Sequence, residues 1–267
     1  GMTSASLILT DLTRNLPYDS YSFNFSGTTD YLEIAHSSTL EPANVSVSIW
    51  FKGSAQAAIN TYLVSKVANT GSKGYGLYTG NSTDKLVFFI YNGSTWILTP
   101  LGGVVMDDNW HHAVATYDGN NLKLYVDGSS YASNTSASGI TYNAGPLVIA
   151  AQTTVPALDF DGKLSNCAIF NQALTSTEVM KLYSNGVPQD LSSFSPAPVS
   201  WWTLGSNSFF NGTDYICRDL IGSNDGTSAN AGVDALVGDA PRSEANGTGT
   251  NIDIPTNLEG STKWSSN

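Results

Sequence analysis

The stretch that most constrains the fold of this chain runs from Trp110 to Gly128 and reads WHHAVATYDGNNLKLYVDG. It begins with a β-favouring run, which is followed by DGNN, four residues that favour turns. Leu122, Leu124 and Val126 then alternate with other residues, and this two-residue period is typical of a strand with one buried face. The stretch therefore predicts two strands joined by a turn, with one face against a core.

The same alternation recurs along the chain and predicts many further short strands. They are expected near residues 21–25, 31–34, 45–52, 62–66, 74–78, 85–91, 96–98, 147–151 and 160–170. Residues 7–9 are apolar and predict an edge strand or an ordered arm. One short helix is expected near 176–185, because Thr175 and Glu178 have the spacing of a capping box. Short strands joined by polar turns indicate an all-β fold.

Two sequence patterns resemble a known family. The first is Phe-x-Phe-x-Gly-x-x-Asp-Tyr-Leu-x-Ile, which starts at Phe23, and the second is the Trp110 to Gly128 stretch itself. Both are similar to hairpins of laminin G-like domains in the concanavalin A-like lectin/glucanase superfamily, although Ala113 and Ala115 stand where that family has larger apolar residues. The resemblance implies an antiparallel β-sandwich, or jelly roll, and extends to Gly186.

The chain divides by composition into a sandwich at 1–190 and a C-terminal extension at 191–267. Residues 199–204 predict a strand whose Trp-Trp-x-Leu pattern resembles a segment that precedes the first hairpin in this family. Two interpretations follow. We expect the strand to dock onto the same sandwich, since Trp201 and Trp202 need burial; alternatively, it opens a truncated further repeat.

The charge of the chain restricts its partners. The 267 residues carry a formal net charge of −11, and only 12% are charged. An acidic protein lacks the basic patches that nucleic acid and anionic membranes require.

No apolar run approaches the roughly 20 residues of a membrane-spanning helix, so no membrane insertion is expected. We expect an extracellular location, or one at a virion or cell surface, although no signal peptide is visible at the start.

The two cysteines, Cys167 and Cys217, are too few for a disulfide scaffold and lack the spacing of a zinc site. They are either two separately buried thiols or one bridge between the last sandwich strand and the C-terminal extension. The sequence leaves both alternatives open.

Catalysis is not expected. Glucan-cleaving enzymes of the superfamily carry Glu-x-Asp-x-x-Glu on one strand, which places the catalytic carboxylates on one face. This chain lacks that pattern, and its glutamates are scattered, with Glu178 explained as a helix cap.

Calcium is the cofactor that the resemblance implies. Many relatives hold one Ca²⁺ at the rim of the sandwich with carboxylate and carbonyl oxygens, the ligands that this ion prefers. Asp30, Asp159 and Asp161 are the candidate ligands by position. Ser165 and Asn166, however, stand where the family has an Asp-Glu pair, so the chain lacks part of the usual charge.

Sugar binding requires aromatic platforms, and four side chains on or beside suitable strands are candidates: Tyr75, Tyr78, Tyr91 and Trp96. Aromatic residues at strand spacing also fill cores, which is the alternative for each of them.

Together these features predict a non-enzymatic, lectin-like module that binds a glycan or cell-surface ligand, assisted by calcium. The second hypothesis is a structural or adhesive component of an extracellular or virion assembly, and the third is a glycoside hydrolase. The sequence identifies neither the sugar nor the oligomeric state.

Overall fold

The structure is a computed structural model that describes residues 19–56, 60–67, 73–80, 84–135, 139–155 and 158–241. Within these residues the strands, numbered along the chain, are β1 (Ser22–Ser26), β2 (Tyr31–Ile34), β3 (Val45–Lys52), β4 (Thr61–Val67), β5 (Gly74–Gly80), β6 (Lys85–Tyr91), β7 (Trp96–Leu98), β8 (His111–Tyr117), β9 (Asn121–Val126), β10 (Ser129–Thr135), β11 (Leu147–Ile149), β12 (Asp161–Phe170), β13 (Ser200–Trp202), β14 (Ser208–Phe210), β15 (Tyr215–Cys217), β16 (Gly226–Ala229) and β17 (Leu236–Val237). Helix α1 spans Ser176–Tyr183, and 3-10 turns lie at Ser38–Leu40, Ser184–Gly186 and Leu191–Ser193. The strand or arm predicted at 7–9 lies outside the described residues.

The described strands form two antiparallel sheets that pack face to face. Sheet A has the order β10-β9-β8-β3-β12-β1-β17, with β13 also paired to β12, and sheet B has the order β14-β15-β16-β2-β11-β4-β5-β6-β7. The core lies between the sheets, where Val47, Phe88, Leu124 and Ile169 are each 0% exposed. The prediction of an all-β antiparallel sandwich is confirmed.

The hairpin predicted from the Trp110 to Gly128 stretch consists of β8 and β9. Ala115 pairs with Leu124 across the hairpin and with Val47 of β3 on the other side. Because side chains alternate along each strand, all three residues face the core together. This explains why the small Ala115 is fully buried between larger neighbours.

The segment that follows residue 199 adds strands to both sheets of the sandwich. In sheet A, β13 lies beside β12, with Trp201 opposite Ala168, and β17 pairs with β1. In sheet B, β16 pairs with β2. Trp201 and Trp202 are both 0% exposed. Neighbours on a strand face opposite sides, so Trp202 enters the core while Trp201 packs on the outer side of sheet A.

Helix α1 covers part of the outer face of sheet A. Its capping box forms as predicted, because Thr175 accepts from the Glu178 N–H and the Glu178 side chain accepts from the Thr175 N–H. The helix ends at Tyr183, two residues before the predicted end, because Ser184 adopts a left-handed conformation at φ 43°. In the part of the chain that the structure describes, no helix is long and apolar enough to cross a membrane.

The two cysteines are separately buried free thiols, so the bridge is not formed. Burial raises the pKa of Cys167, and it raises the pKa of Cys217 to about 12. Both side chains therefore stay protonated and pack as small apolar groups.

Candidate functional site

An aromatic groove lies on the outer, solvent-facing side of sheet B, across β4 to β7. We use this name for the depression of about 280 Å³ lined by Tyr62, Val67, Tyr78, Phe89, Trp96, Leu98 and Gln152. Tyr78 and Trp96 are half-buried, and Leu98 is exposed, so the groove opens to solvent.

The alternation of strand residues brings these side chains to one face. Tyr62 pairs with Tyr78, and Phe89 pairs with Leu98 in the neighbouring strand pair. Gly76 pairs with Phe89, and a Cβ at this position would lie only 2.6 Å from the Phe89 ring. The absence of a side chain at Gly76 therefore allows the Phe89 ring to lie over the backbone of β5 and form the floor of the groove.

The rings of the groove support one another in a continuous series. Tyr62 and Tyr78 stack with centroids 5.1 Å apart at an interplanar angle of 24°. Phe89 and Trp96 meet edge to face at 5.0 Å and 78°. Such aromatic pairs are worth about 0.5–1.5 kcal/mol beyond their burial. The series fixes the ring orientations before any ligand arrives.

The polar groups of the groove are neutral. The Gln152 amide donates a hydrogen bond of 2.9 Å from Nε2 to the Tyr62 hydroxyl. Burial, together with the neighbouring Tyr78, raises the pKa of Tyr62 to about 12, and burial also raises the pKa of Tyr78. Both hydroxyls therefore remain protonated donors near neutral pH. The groove offers flat apolar rings edged by uncharged hydrogen-bonding groups.

The structure separates the four predicted aromatic residues. Tyr78 and Trp96 line the groove, and Tyr91 packs against the Trp96 ring with centroids 5.0 Å apart. Tyr75 requires a correction, because its side chain is 0% exposed in the core and its hydroxyl donates to the Leu40 carbonyl at 3.1 Å. Tyr75 and Tyr78 are an odd number of residues apart on β5, so they face opposite sides of sheet B.

Sequence analysis missed five residues of the groove: Tyr62, Val67, Phe89, Leu98 and Gln152. Tyr62 and Phe89 lie in strands whose residues are almost all buried, so no alternation of polar and apolar residues marks the outer face. Gln152 follows β11 in an irregular segment, where sequence patterns do not predict side-chain direction. One signal in the sequence could have indicated the outward direction of Phe89. Val87, Phe89 and Tyr91 alternate along β6 with residues that face the core.

The three predicted calcium ligands lie at one end of the sandwich but do not form a cluster. Asp30 closes the first hairpin turn, where its Oδ2 accepts from the Ser26 N–H at 3.1 Å. Asp161 lies opposite Ser26 in β12, and Asp159 is 6% exposed. Among the described residues, no three acidic, histidine or cysteine side chains converge to hold a metal. The three aspartates do not supply a carboxylate cluster among the described residues, and calcium assistance stays a prediction.

Asn166 occupies one of the positions where the family has an acidic residue, and it has a different role here. It lies at a bulge between β12 and β3 with φ 48°, and its Oδ1 accepts from the Trp201 indole at 3.3 Å. Its Nδ2 donates to the Ser165 hydroxyl at 2.9 Å. An amide at this position holds the C-terminal strand in place, and it carries no charge for a cation.

A solved structure has the same fold over most of this chain. A provisionally assigned carbohydrate-binding protein from Bacteroides ovatus superposes with a TM-score of 0.64 at 17% identity, over 84% of this chain. This chain spans only 61% of the length of that protein. At this identity the likeness shows the fold alone.

Two further solved structures are similar to this chain. A SAP-like pentraxin from Limulus polyphemus superposes with a TM-score of 0.50 at 16% identity, over 77% of this chain and 95% of the pentraxin. Domains LG4-5 of the mouse laminin alpha1 chain superpose with a TM-score of 0.46 at 16% identity, over 59% of this chain and 44% of the laminin structure.

The family comparison agrees with the resemblance of the two hairpins. No curated protein sequence matches the chain. The laminin G family of the concanavalin A-like lectin/glucanase superfamily matches residues 26–180, which is more than half of the chain. Both hairpin patterns and the β-sandwich lie within or beside this range. The chain belongs to this laminin G family of the concanavalin A-like lectin/glucanase superfamily.

Proposed function

We propose that this chain is a non-enzymatic carbohydrate-binding module and that the aromatic groove holds a neutral sugar. The observation that carries the proposal is the set of two half-buried rings, Tyr78 and Trp96, which open to solvent over a floor of packed aromatic residues. Large aromatic side chains that stay partly exposed on a rigid sheet are typical of recognition surfaces.

The chemistry of the groove suits a pyranose ring. The C–H face of a sugar is apolar, and it loses its contact with water when it stacks on Tyr78 or Trp96. The hydroxyl groups of the sugar point outward from the ring, where the Gln152 amide and the Tyr62 hydroxyl can exchange hydrogen bonds with them. None of the described residues that line the groove is charged, which favours a neutral ligand.

Two further considerations support a binding role over catalysis. Family membership and the similarity to a provisionally assigned carbohydrate-binding protein of Bacteroides ovatus are consistent with it, as analogies. Two glutamates have structural roles, since Glu41 pairs with Lys66 at 2.8 Å and Glu178 caps helix α1. A lectin-like module of this kind acts outside the cell, where glycans are presented.

The proposal is tested by screening the full chain on a neutral glycan array and measuring affinities by calorimetry. We expect the double variant Tyr78→Ala and Trp96→Ala to bind at least tenfold more weakly than the parent chain. Tyr21→Ala is the matched control, because Tyr21 is 43% exposed and lies outside the groove. Equal losses in both variants, or no neutral glycan bound by the parent chain, would overturn the proposal.

A second candidate function is a structural or adhesive role in a larger assembly. The hairpin of β14 and β15 exposes Phe209 at 45% and Phe210 at 37%, and exposed aromatic residues at a sheet edge favour contact with another protein. Light scattering tests this candidate. A concentration-dependent oligomer that is lost in Phe209→Ser supports it, and a strict monomer at all concentrations counts against self-assembly.

A further inference from the structure

A second cavity lies on the opposite side of the molecule, on the outer face of sheet A. We call it the lysine cleft, and it is lined chiefly by Lys52, Asn109, Trp110, Tyr183, Asn185 and Asp239. Its volume is about 580 Å³. Small-molecule sites occupy roughly 300–1,000 Å³, so the cleft is large enough for a sugar unit with its substituents. It lies between the end of helix α1 and the segment that follows β17.

Two lysines meet at Asp239: Lys52, which lines the cleft, and Lys163, which lies directly behind that carboxylate. Lys52 and Lys163 are directly opposite each other across the pair of β3 and β12. Like charges in this arrangement destabilise a sheet. Both Nζ atoms contact the same oxygen of Asp239, its Oδ2, at 3.3 Å from Lys52 and 2.8 Å from Lys163. One carboxylate thus compensates one of two positive charges.

The remaining positive charge is unusual for this chain. The protein has 11 Lys and Arg residues against 22 Asp and Glu residues. The Lys52 and Lys163 side chains are 22% and 27% exposed, so both remain partly accessible to solvent. Burial opposes the charge of Asp239, but hydrogen bonds from Lys163, Trp110 and Lys52 outweigh burial and lower its pKa to about 2. The Asp239 carboxylate therefore stays negative near neutral pH, between the two lysines.

Asp239 is held through both its side chain and its backbone. Its Oδ1 accepts from the Trp110 indole at 3.0 Å, and its backbone carbonyl accepts from the Ser22 hydroxyl. The cluster is built by three separate parts of the chain: β3, β12 and the segment after β17. Such convergence fixes the positions of the ammonium groups before a ligand arrives.

The walls of the cleft supply apolar rings and neutral amides. Tyr183 stacks over Trp50 with centroids 5.9 Å apart, and Trp50 stacks on His112 at 4.7 Å. Tyr183 and Trp110 are half-buried, so part of each ring faces the cleft. Asn109 and Asn185 are exposed and offer amide donors and acceptors.

We propose that the lysine cleft binds a carboxylated sugar ring of the hexuronic acid class. The carboxylate of the ligand meets the ammonium groups of Lys52 and Lys163, which carry one positive charge more than Asp239 neutralises. The ring lies against Tyr183 or Trp110, and its hydroxyls contact the amides of Asn109 and Asn185. The proposal goes beyond the aromatic groove, because the cleft lies on the other sheet and selects a charged ligand.

The test is calorimetric titration of the full chain with tri-galacturonic acid. The matched control ligand is its methyl ester, which keeps the rings and hydroxyls and loses the charges. We expect the acid to bind and the ester to bind at least tenfold more weakly. Raising the salt concentration should weaken binding of the acid, since the cleft is solvent-accessible.

Variants of the chain locate the site. We expect Lys52→Gln and Lys163→Gln each to weaken binding of tri-galacturonic acid about tenfold, while Lys52→Arg retains binding. Lys123→Gln is the matched control, because Lys123 is exposed on β9 and lies outside the cleft lining. Thermal melting of each variant separates a loss of binding from a loss of folding.

Three results would overturn the inference: equal affinity for the acid and the ester, competition by acetate at the concentration of the trisaccharide, or equal losses in Lys52→Gln and Lys123→Gln. Failure of this site is distinct from failure of the aromatic groove. The variants Tyr78→Ala and Trp96→Ala should leave binding of tri-galacturonic acid unchanged, while the lysine variants leave binding of neutral glycans unchanged.

Discussion

The two outer faces of the sandwich use similar aromatic residues in different ways. On sheet B, Tyr78 and Trp96 belong to an open groove whose lining residues, as far as the structure describes them, are uncharged. On sheet A, helix α1 and the Trp201 side chain cover part of the outer face, and the neighbouring cleft contains Lys52 and Asp239. The difference shows that the role of an outward-facing aromatic residue depends on what the rest of the chain places over it.

The largest effect that sharpens this comparison is on stability. Trp201 is 0% exposed on the outer side of sheet A, where it packs with residues of helix α1. We therefore expect Trp201→Ala to lower the free energy of unfolding by about 3–5 kcal/mol. Trp96 is half-buried, and Trp96→Ala should cost only about 1 kcal/mol. Chemical denaturation of both variants measures the two values. If both variants lost a similar free energy of unfolding, Trp96 would be a structural residue like Trp201 and would not be free to contact a ligand.

The second effect is a dependence of folding stability on pH, and it arises from His112 of sheet A. Burial lowers the pKa of His112 to about 3, while its Nε2 lies 2.8 Å from the Ser48 hydroxyl. Between pH 6.5 and the folded pKa the unfolded chain binds a proton that the folded chain does not, so stability falls as pH falls. We expect a loss of about 2 kcal/mol between pH 6.5 and 4.5.

The neighbouring histidine provides the control for this pH effect. A hydrogen bond to Asp127 raises the pKa of His111, so its contribution is complete below pH 6.5 and is lost as pH rises. The loss of stability on acidification should therefore remain in His111→Gln and diminish in His112→Gln. Denaturation curves at several pH values measure it, and an unchanged slope in His112→Gln would contradict the assignment.

A smaller effect tests how the groove is built on sheet B. The Cβ of Gly76→Ala would lie 2.6 Å from the Phe89 ring, so the ring must move. We expect a loss of about 1–2 kcal/mol of stability and weaker binding of a neutral glycan. Gly103→Ala is the control, because a Cβ there meets no atom within 4 Å. The melting temperature and the affinity of both variants measure the difference.

The smallest effect is expected from calcium. Asp30 is engaged by the Ser26 N–H, and the described residues contain no cluster of three metal-binding side chains. We expect EDTA and Ca²⁺ to leave the melting temperature and glycan binding unchanged. An increase in melting temperature with Ca²⁺ that disappears in Asp161→Asn would restore the predicted site.

Local sequence patterns predicted much of the fold. The two-residue alternation in β9 and the capping box of Thr175 and Glu178 depend on residues close together in the chain, so their geometry follows from their spacing. The burial of Trp201 and Trp202 also follows from their size and apolar character.

The candidate sites were less predictable, because they depend on which strands become neighbours. Tyr75 and Tyr78 appear equivalent in the sequence, yet the register of β5 places one in the core and one in the groove. Lys52 and Lys163 are far apart in the chain and meet only through the pairing of β3 with β12. Asp239 joins them from a segment whose position no local pattern indicates.

The interleaving of the C-terminal strands has a consequence for the integrity of the backbone. Since β13, β16 and β17 are held by hydrogen bonds to strands of the preceding segment, a single cleavage between residues 188 and 198 need not separate the two pieces. The two fragments should remain together as a noncovalent heterodimer. Expressed separately, they should reassemble by strand complementation.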